Sequence, residues 1–271
     1  MGFWQRRRRK KIVERDLSRD ELSAIVRAVH LWPVLPEPDR RRLVDDVKVF
    51  LAEKTFEGAQ DLEITDEIRT TVAAAACLLV VRRPPERADD LYPDLETIVI
   101  YPHPFVVTAS VRLGAVTLEG TQVRSGESWS RGLVVLAWDE VARDMRVRGS
   151  GHNVVLHELS HQLDAEDGDV DGVPLLGSRG AYTRFVSVLD AERAWLEARL
   201  ARGLSVDIDA YGAQSPAELF AVTTEAFFER SVPLARRHPE LYEALVSAYG
   251  IDPAALLEGR EERLGDGDHE A

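Results

Sequence analysis

The stretch Asn153-Val154-Val155-Leu156-His157-Glu158-Leu159-Ser160-His161-Gln162-Leu163 constrains this chain more than any other. It reads H-E-x-x-H within an apolar run free of proline, which predicts a helix, and a buried one. Four residues advance an α-helix by about 1.1 turns, so His157 and His161 stand one above the other on one face. Two imidazoles so placed grip one zinc ion from the same side. Glu158 points about 100° round the helix, beside the metal position rather than at it. A carboxylate there is placed to take a proton from water that the metal acidifies. The uncharged Leu159 and Ser160 and the apolar Leu163 suit a helix packed under a cleft.

A catalytic zinc takes three protein ligands and keeps one position open. Cys77 is the single cysteine, which excludes a thiolate cage and any intramolecular disulfide. Ser215-Pro216-Ala217-Glu218 predicts a helix start, with serine at the N-cap and proline at the first helical position. That helix carries Glu218, Glu225 and Glu229 on one face, because seven residues is almost two turns. Phe220 and Phe227 take the opposite face. A helix apolar enough to be buried, with carboxylates down one side, needs a cation to face. Spacing alone leaves both Glu218 and Glu225 open as the third ligand, and Glu218 also completes an S-x-x-E capping box.

Two other carboxylate patterns follow the motif. Asp167 lies six residues after His161, where the extended H-E-x-x-H-x-x-G-x-x-H/D pattern keeps its third ligand. That pattern needs glycine at the turn, and the position holds Asp164. Asp167-Gly168-Asp169-Val170-Asp171-Gly172 begins like an EF-hand calcium loop. Its twelfth position is Ser178 instead of glutamate, and Pro174 is out of place, so it reads as a solvated acidic turn.

A formal charge of −13 gives the chain no general attraction to nucleic acid or anionic lipid, and neither is an expected partner. The longest apolar run, Val72 to Val81, is too short to span a bilayer. The basic start is followed by Ile12-Val13-Glu14-Arg15-Asp16, which is not the apolar core of a signal peptide. These features predict a cytoplasmic chain. Residues 1–17, with Arg6 to Lys11 all basic, are expected as a disordered arm and 261–271 as a disordered acidic tail. Residues 18–260 then form one domain, helical over 18–90.

Along that domain, Ser18-Arg19-Asp20-Glu21 is a capping box. Helices are expected over 39–54 and 66–81, the second apolar on nearly all sides. Leu95 to Tyr101 reads as a strand, with shorter strands at 105–108 and 115–118 and another over 133–138. A short helix follows from Asp139, a long one covers 182–201, and two flank Pro253. The totals predict an α+β fold, mostly helical, with a small β-sheet ahead of the H-E-x-x-H helix.

Several stretches, in order, resemble the Mlc titration factor A family of bacterial zinc-dependent peptidases. They are Ile100 to Val107, Ser125 to Trp129 with Gly132 to Leu136, His157 to Asp164, Gly172-Val173-Pro174, Ile208-Asp209-Ala210-Tyr211, and Ser215 to Val222 running into Glu225 to Phe228. The resemblance covers roughly residues 35 to 255 and leaves out the first 20 residues and the tail. It implies one zinc per chain held by His157, His161 and Glu218, with Glu158 as general base. Tyr211 would stand near the metal and donate to the oxyanion. It further implies a zincin-type fold similar to the zinc domain of anthrax lethal factor, and aminopeptidase action on peptide substrates. A link to sugar uptake through a transcriptional regulator is also implied, although no partner surface is readable here. The competing reading is a regulatory protein that sequesters a transcription factor and keeps its zinc for structure. Both readings keep the histidines; only the enzyme needs Glu158.

Overall fold

The structure, a computed structural model, describes the backbone of residues 3–106, 111–113, 116–118, 123–124, 126–130 and 132–267, and the side chains of 4–104 and 132–260. The chain opens on α1 (Phe3–Val13), a helix that holds the whole basic run, within the segment expected as a disordered arm. Arg9 forks onto Glu53, with Nε to Oε1 at 2.9 Å and Nη2 to Oε2 at 2.5 Å. Its Nη1 also donates to the Asp89 carbonyl. Ile12 and Val13 pack against the core. Within the basic run, Arg6 and Arg9 are met by the distant carboxylates of Asp89 and Glu53.

α2 (Arg19–Ala28) begins with the expected reciprocal cap: Ser18 Oγ accepts from Glu21 N, and Glu21 Oε2 accepts from Ser18 N. α3 (Glu37–Glu53) follows, and α4 (Asp66–Leu78) is buried on nearly every side, with Thr65 as its cap. Between them lies β1 (Thr55–Gly58), a strand in the interval between two of the helices expected in this part of the chain. Its four residues are mostly exposed and show no alternation to read. The strand exists because its backbone pairs with β2 (Thr97–Tyr101), Thr55 opposite Thr97.

β2 also pairs with a later strand across a stretch of short hairpins. β3 (Phe105–Val106) pairs with β6 (Val123–Arg124), and β4 (Val111–Leu113) with β5 (Val116–Leu118), both antiparallel. The expected strands at 105–108 and 115–118 are found in part; residues 107, 108 and 115 lie outside the described residues. β7 (Gly126–Ser130) and β8 (Leu133–Ala137) complete the main sheet, whose order is β1-β2-β8-β7. β1, β2 and β8 are parallel, and β7 runs antiparallel beside β8. The pleat sends Ile98, Ile100, Val134 and Leu136 into the main core. The alternate residues Val99, Tyr101, Leu133 and Val135 form a small cluster on the other face. Burial on both faces explains why β2 and β8 read as unbroken apolar runs.

The remainder is helical: α5 (Trp138–Arg146), α6 (Val154–Asp164), α7 (Arg179–Ala201), α8 (Pro216–Glu229), α9 (Ser231–Arg237), α10 (Pro239–Tyr249) and α11 (Pro253–Gly267). α9 is an addition to the expected set. α11 runs into the stretch expected as a disordered tail, and residues 268–271 lie outside the described ones. One core cluster extends from Ile25 to Ala254. Behind α8, Phe220, Phe227 and Phe228 are essentially inaccessible and group with Tyr249. Each such ring stabilises the packing by roughly 1.5–3 kcal/mol. This aromatic wall fixes the rotation of α8 and turns its carboxylates toward α6. Among the described residues no helix is long and apolar enough to cross a membrane. The architecture is α+β, mostly helical, with the sheet preceding α6.

Candidate metal centre

α6 is positioned by its apolar back and by polar bonds at its start. Val155, Leu156, Leu159 and Leu163 are buried against the core. Asn153 caps the helix, its Oδ1 accepting from Leu156 N at 3.2 Å. An asparagine directly before a helical apolar run is a readable cap, and it is a site residue that the sequence reading passed over. Asn153 N donates to Glu225 Oε2 at 2.6 Å, and Asn153 Nδ2 donates to Glu229 Oε1 at 3.0 Å. The start of α6 is thus tied to the later turns of α8.

Between these ties and the first turn of α8, His157, His161 and Glu218 converge. Glu218 Oε2 lies 3.1 Å from His157 Nε2 and 3.6 Å from His161 Nε2. One ligand atom from each of the three residues lies within 4.8 Å of the others. Tetrahedral zinc with bonds of 2.0–2.1 Å separates its ligand atoms by about 3.4 Å, so the observed spacings fit that ion. Burial opposes charge on Glu218, but the two histidines outweigh it and hold its carboxyl down at about 2.

The other two carboxylates on the face of α8 have different work. Glu225 Oε1 lies 2.8 Å from His157 Nδ1, on the far side of the ring from Glu218. With the Nδ1 proton shared toward Glu225, the Nε2 lone pair is left for a metal. Both oxygens of Glu225 are engaged, one by His157 and one by Asn153 N, and Glu229 holds the Asn153 amide. Glu225→Ala should therefore weaken zinc binding or activity by about 10–100-fold without removing a ligand, as judged by zinc titration. Asp167→Ala should leave the titration unchanged. Asp167 is exposed and its Oδ1 accepts from Asp169 N, while Asp171 accepts from Val173 N and the Tyr182 hydroxyl.

Glu158 is 3% exposed on the helix that carries the histidines. Burial pushes its carboxyl up to about 7, against the pull of His157 and His161. Its Oε2 has no hydrogen-bond partner among the described residues. A buried acceptor left unsatisfied by the protein, with a pKa near neutrality, is suited to take a proton from a reacting molecule.

Tyr211 reaches the same place from a short 3₁₀ turn, Ala210–Ala213, in which Asp209 Oδ1 accepts from Tyr211 N. The turn lies directly on α8: a Cβ at Gly212 would stand 2.8 Å from Val222 Cγ2 and 2.9 Å from Leu219 Cδ1. Glycine is needed there for close approach. The Tyr211 ring ends 6.1 Å from the His157 ring, centroid to centroid. His103, by contrast, is an exposed residue whose Nδ1 meets Asp139 at 2.5 Å.

Comparison with known proteins points to a metallopeptidase family. A family model described as glucose-regulated metallo-peptidase M90 matches residues 3–250. The match includes α1, which the sequence resemblance left outside. An uncharacterized protein of Synechocystis sp. is 38% identical over 252 residues, covering 92% of this chain and 90% of its own. The Mlc titration factor A proteins of Yersinia pestis and Yersinia pseudotuberculosis are each 32% identical over 244 residues, covering 88% of this chain and 87% of theirs. With most of its length matched in this way, the chain belongs to the glucose-regulated M90 metallopeptidases, the family of Mlc titration factor A.

Proposed function

We propose that this chain is a zinc-dependent peptidase of aminopeptidase type, with His157, His161 and Glu218 as ligands. The observation that carries the reading is the convergence of three ligand atoms beside a buried carboxylate that has an unused oxygen. A zinc ion held there would supply Lewis acidity, lowering the pKa of water and polarising a peptide carbonyl. Glu158 accepts the proton of the attacking water and delivers it to the amide nitrogen as the C–N bond breaks. The Tyr211 phenol donates to the carbonyl oxygen as it gains charge, a role usually worth a few kcal/mol of barrier. Glu225 keeps the His157 ring in one orientation throughout.

Family resemblance supports the finer points: action at the amino end of small peptides, and a tie to a transcriptional regulator of sugar uptake. A peptide-library digest with zinc-loaded protein tests the reading. Products shortened from the amino end should appear, vanish on chelation and return with zinc. Cleavage that survives complete metal removal would contradict it.

A further inference from the structure

We propose that Asp164 is a positioning residue for the metal site, holding Glu218 in register with the two histidines; this rests on the zinc reading above. Asp164 ends α6 three residues beyond His161 and is fully buried. Its Oδ1 accepts three backbone N–H groups, from Asp171 at 3.2 Å, Gly172 at 2.9 Å and Val173 at 3.0 Å. Those bonds fold the intervening loop back onto its own helix. The folded loop then presses Gly172 against the first turn of α8. A Cβ at Gly172 would stand 2.4 Å from Pro216 O and 2.6 Å from Pro216 C, and the residue has φ +83°. Pro216 is two residues from Glu218.

α6 and α8 are therefore clamped at both ends. Asn153 with Glu225 and Glu229 ties one end, and Asp164, the loop and Pro216 tie the other. The ligand atoms lie between the clamps. Helices held at one end only can slide by fractions of an ångström, and a site built across two helices loses affinity when its supporting bonds are lost.

Because Oδ1 takes all three N–H groups and Oδ2 has no partner among the described residues, Asp164→Asn keeps the acceptor. Asp164→Ala removes it. Gly172→Ala attacks the same clamp from the other side.

The test is zinc affinity of the full chain, by competition with a chromogenic chelator, alongside the visible spectrum of the cobalt-substituted protein. Circular dichroism confirms the fold of each variant. Expected are a 10–100-fold weaker zinc affinity and an altered cobalt spectrum in Asp164→Ala and in Gly172→Ala, with Asp164→Asn close to wild type. Wild-type zinc affinity in folded Asp164→Ala overturns the proposal and leaves the zinc reading standing. If Asp164→Ala does not fold, wild-type affinity in folded Gly172→Ala overturns it equally. A wild-type chain that binds no zinc overturns both readings.

Discussion

Glu158→Gln should keep its zinc and its fold and lose about 10²- to 10⁴-fold in the rate of peptide hydrolysis. Glutamine matches glutamate in shape but cannot accept a proton, so the change isolates the chemical role from the packing one. The site can absorb it: removing a carboxylate from a buried position relieves desolvation, which is the dominant influence on Glu158. The oxygen that becomes the amide nitrogen leaves no protein donor stranded, since Oε2 is unpartnered among the described residues. The check is kcat/KM and zinc content measured side by side on wild type and variant. Equal rates would remove Glu158 from the mechanism. A wild-type protein that binds zinc and cleaves nothing would favour the regulatory-protein reading, in which Glu158 has no task.

Glu218→Ala should weaken zinc binding by orders of magnitude, the second large effect. Glu218 occupies the third position of α8, where a glutamate commonly folds back onto the N-cap backbone. In α2 the equivalent Glu21 does so. In α8 the half of the cap that forms is Ser215 Oγ accepting from Glu218 N at 3.1 Å, which needs only the backbone of residue 218. The carboxylate itself extends to His157 and His161. Alanine therefore preserves the cap and removes the proposed ligand. A residue that only capped would show the reverse, a loss of about 0.5–2 kcal/mol in stability with zinc retained. Isothermal zinc titration and thermal unfolding of the same variant distinguish the two. Zinc affinity in Glu218→Ala higher than in Glu225→Ala would reverse the assignment of the ligand.

The site was legible in the sequence to the extent that its geometry is local. The spacing of His157, Glu158 and His161 on one helix fixes their relative directions, and the apolar frame fixes the burial of that helix. Glu218, Glu225 and Glu229 illustrate the limit. One helical face carries all three, and only the packing of α8 on α6 brings the first to the Nε2 atoms of His157 and His161, the second to Nδ1 of His157 and the third to Asn153. The amino end shows the same limit: nothing near Arg6 to Lys11 marks the partners of Arg9, because Glu53 and Asp89 are 44 and 80 residues away. β1 went unread for a related reason: a strand of four mostly exposed residues owes its existence to β2, and nothing within it signals pairing. Asp164 stood in plain view as the residue that spoiled an extended zinc motif. Its work is to hold a loop, and that depends on backbone N–H groups seven to nine residues away.

Zinc content of the purified protein, measured by metal analysis beside that of the His157→Ala/His161→Ala double variant, decides whether these side chains hold the metal. Two of the three proposed ligands are removed together, and a single carboxylate does not hold a catalytic zinc. About one zinc per wild-type chain is expected and none in the double variant, with both proteins folded. Full zinc occupancy in the double variant would contradict this expectation.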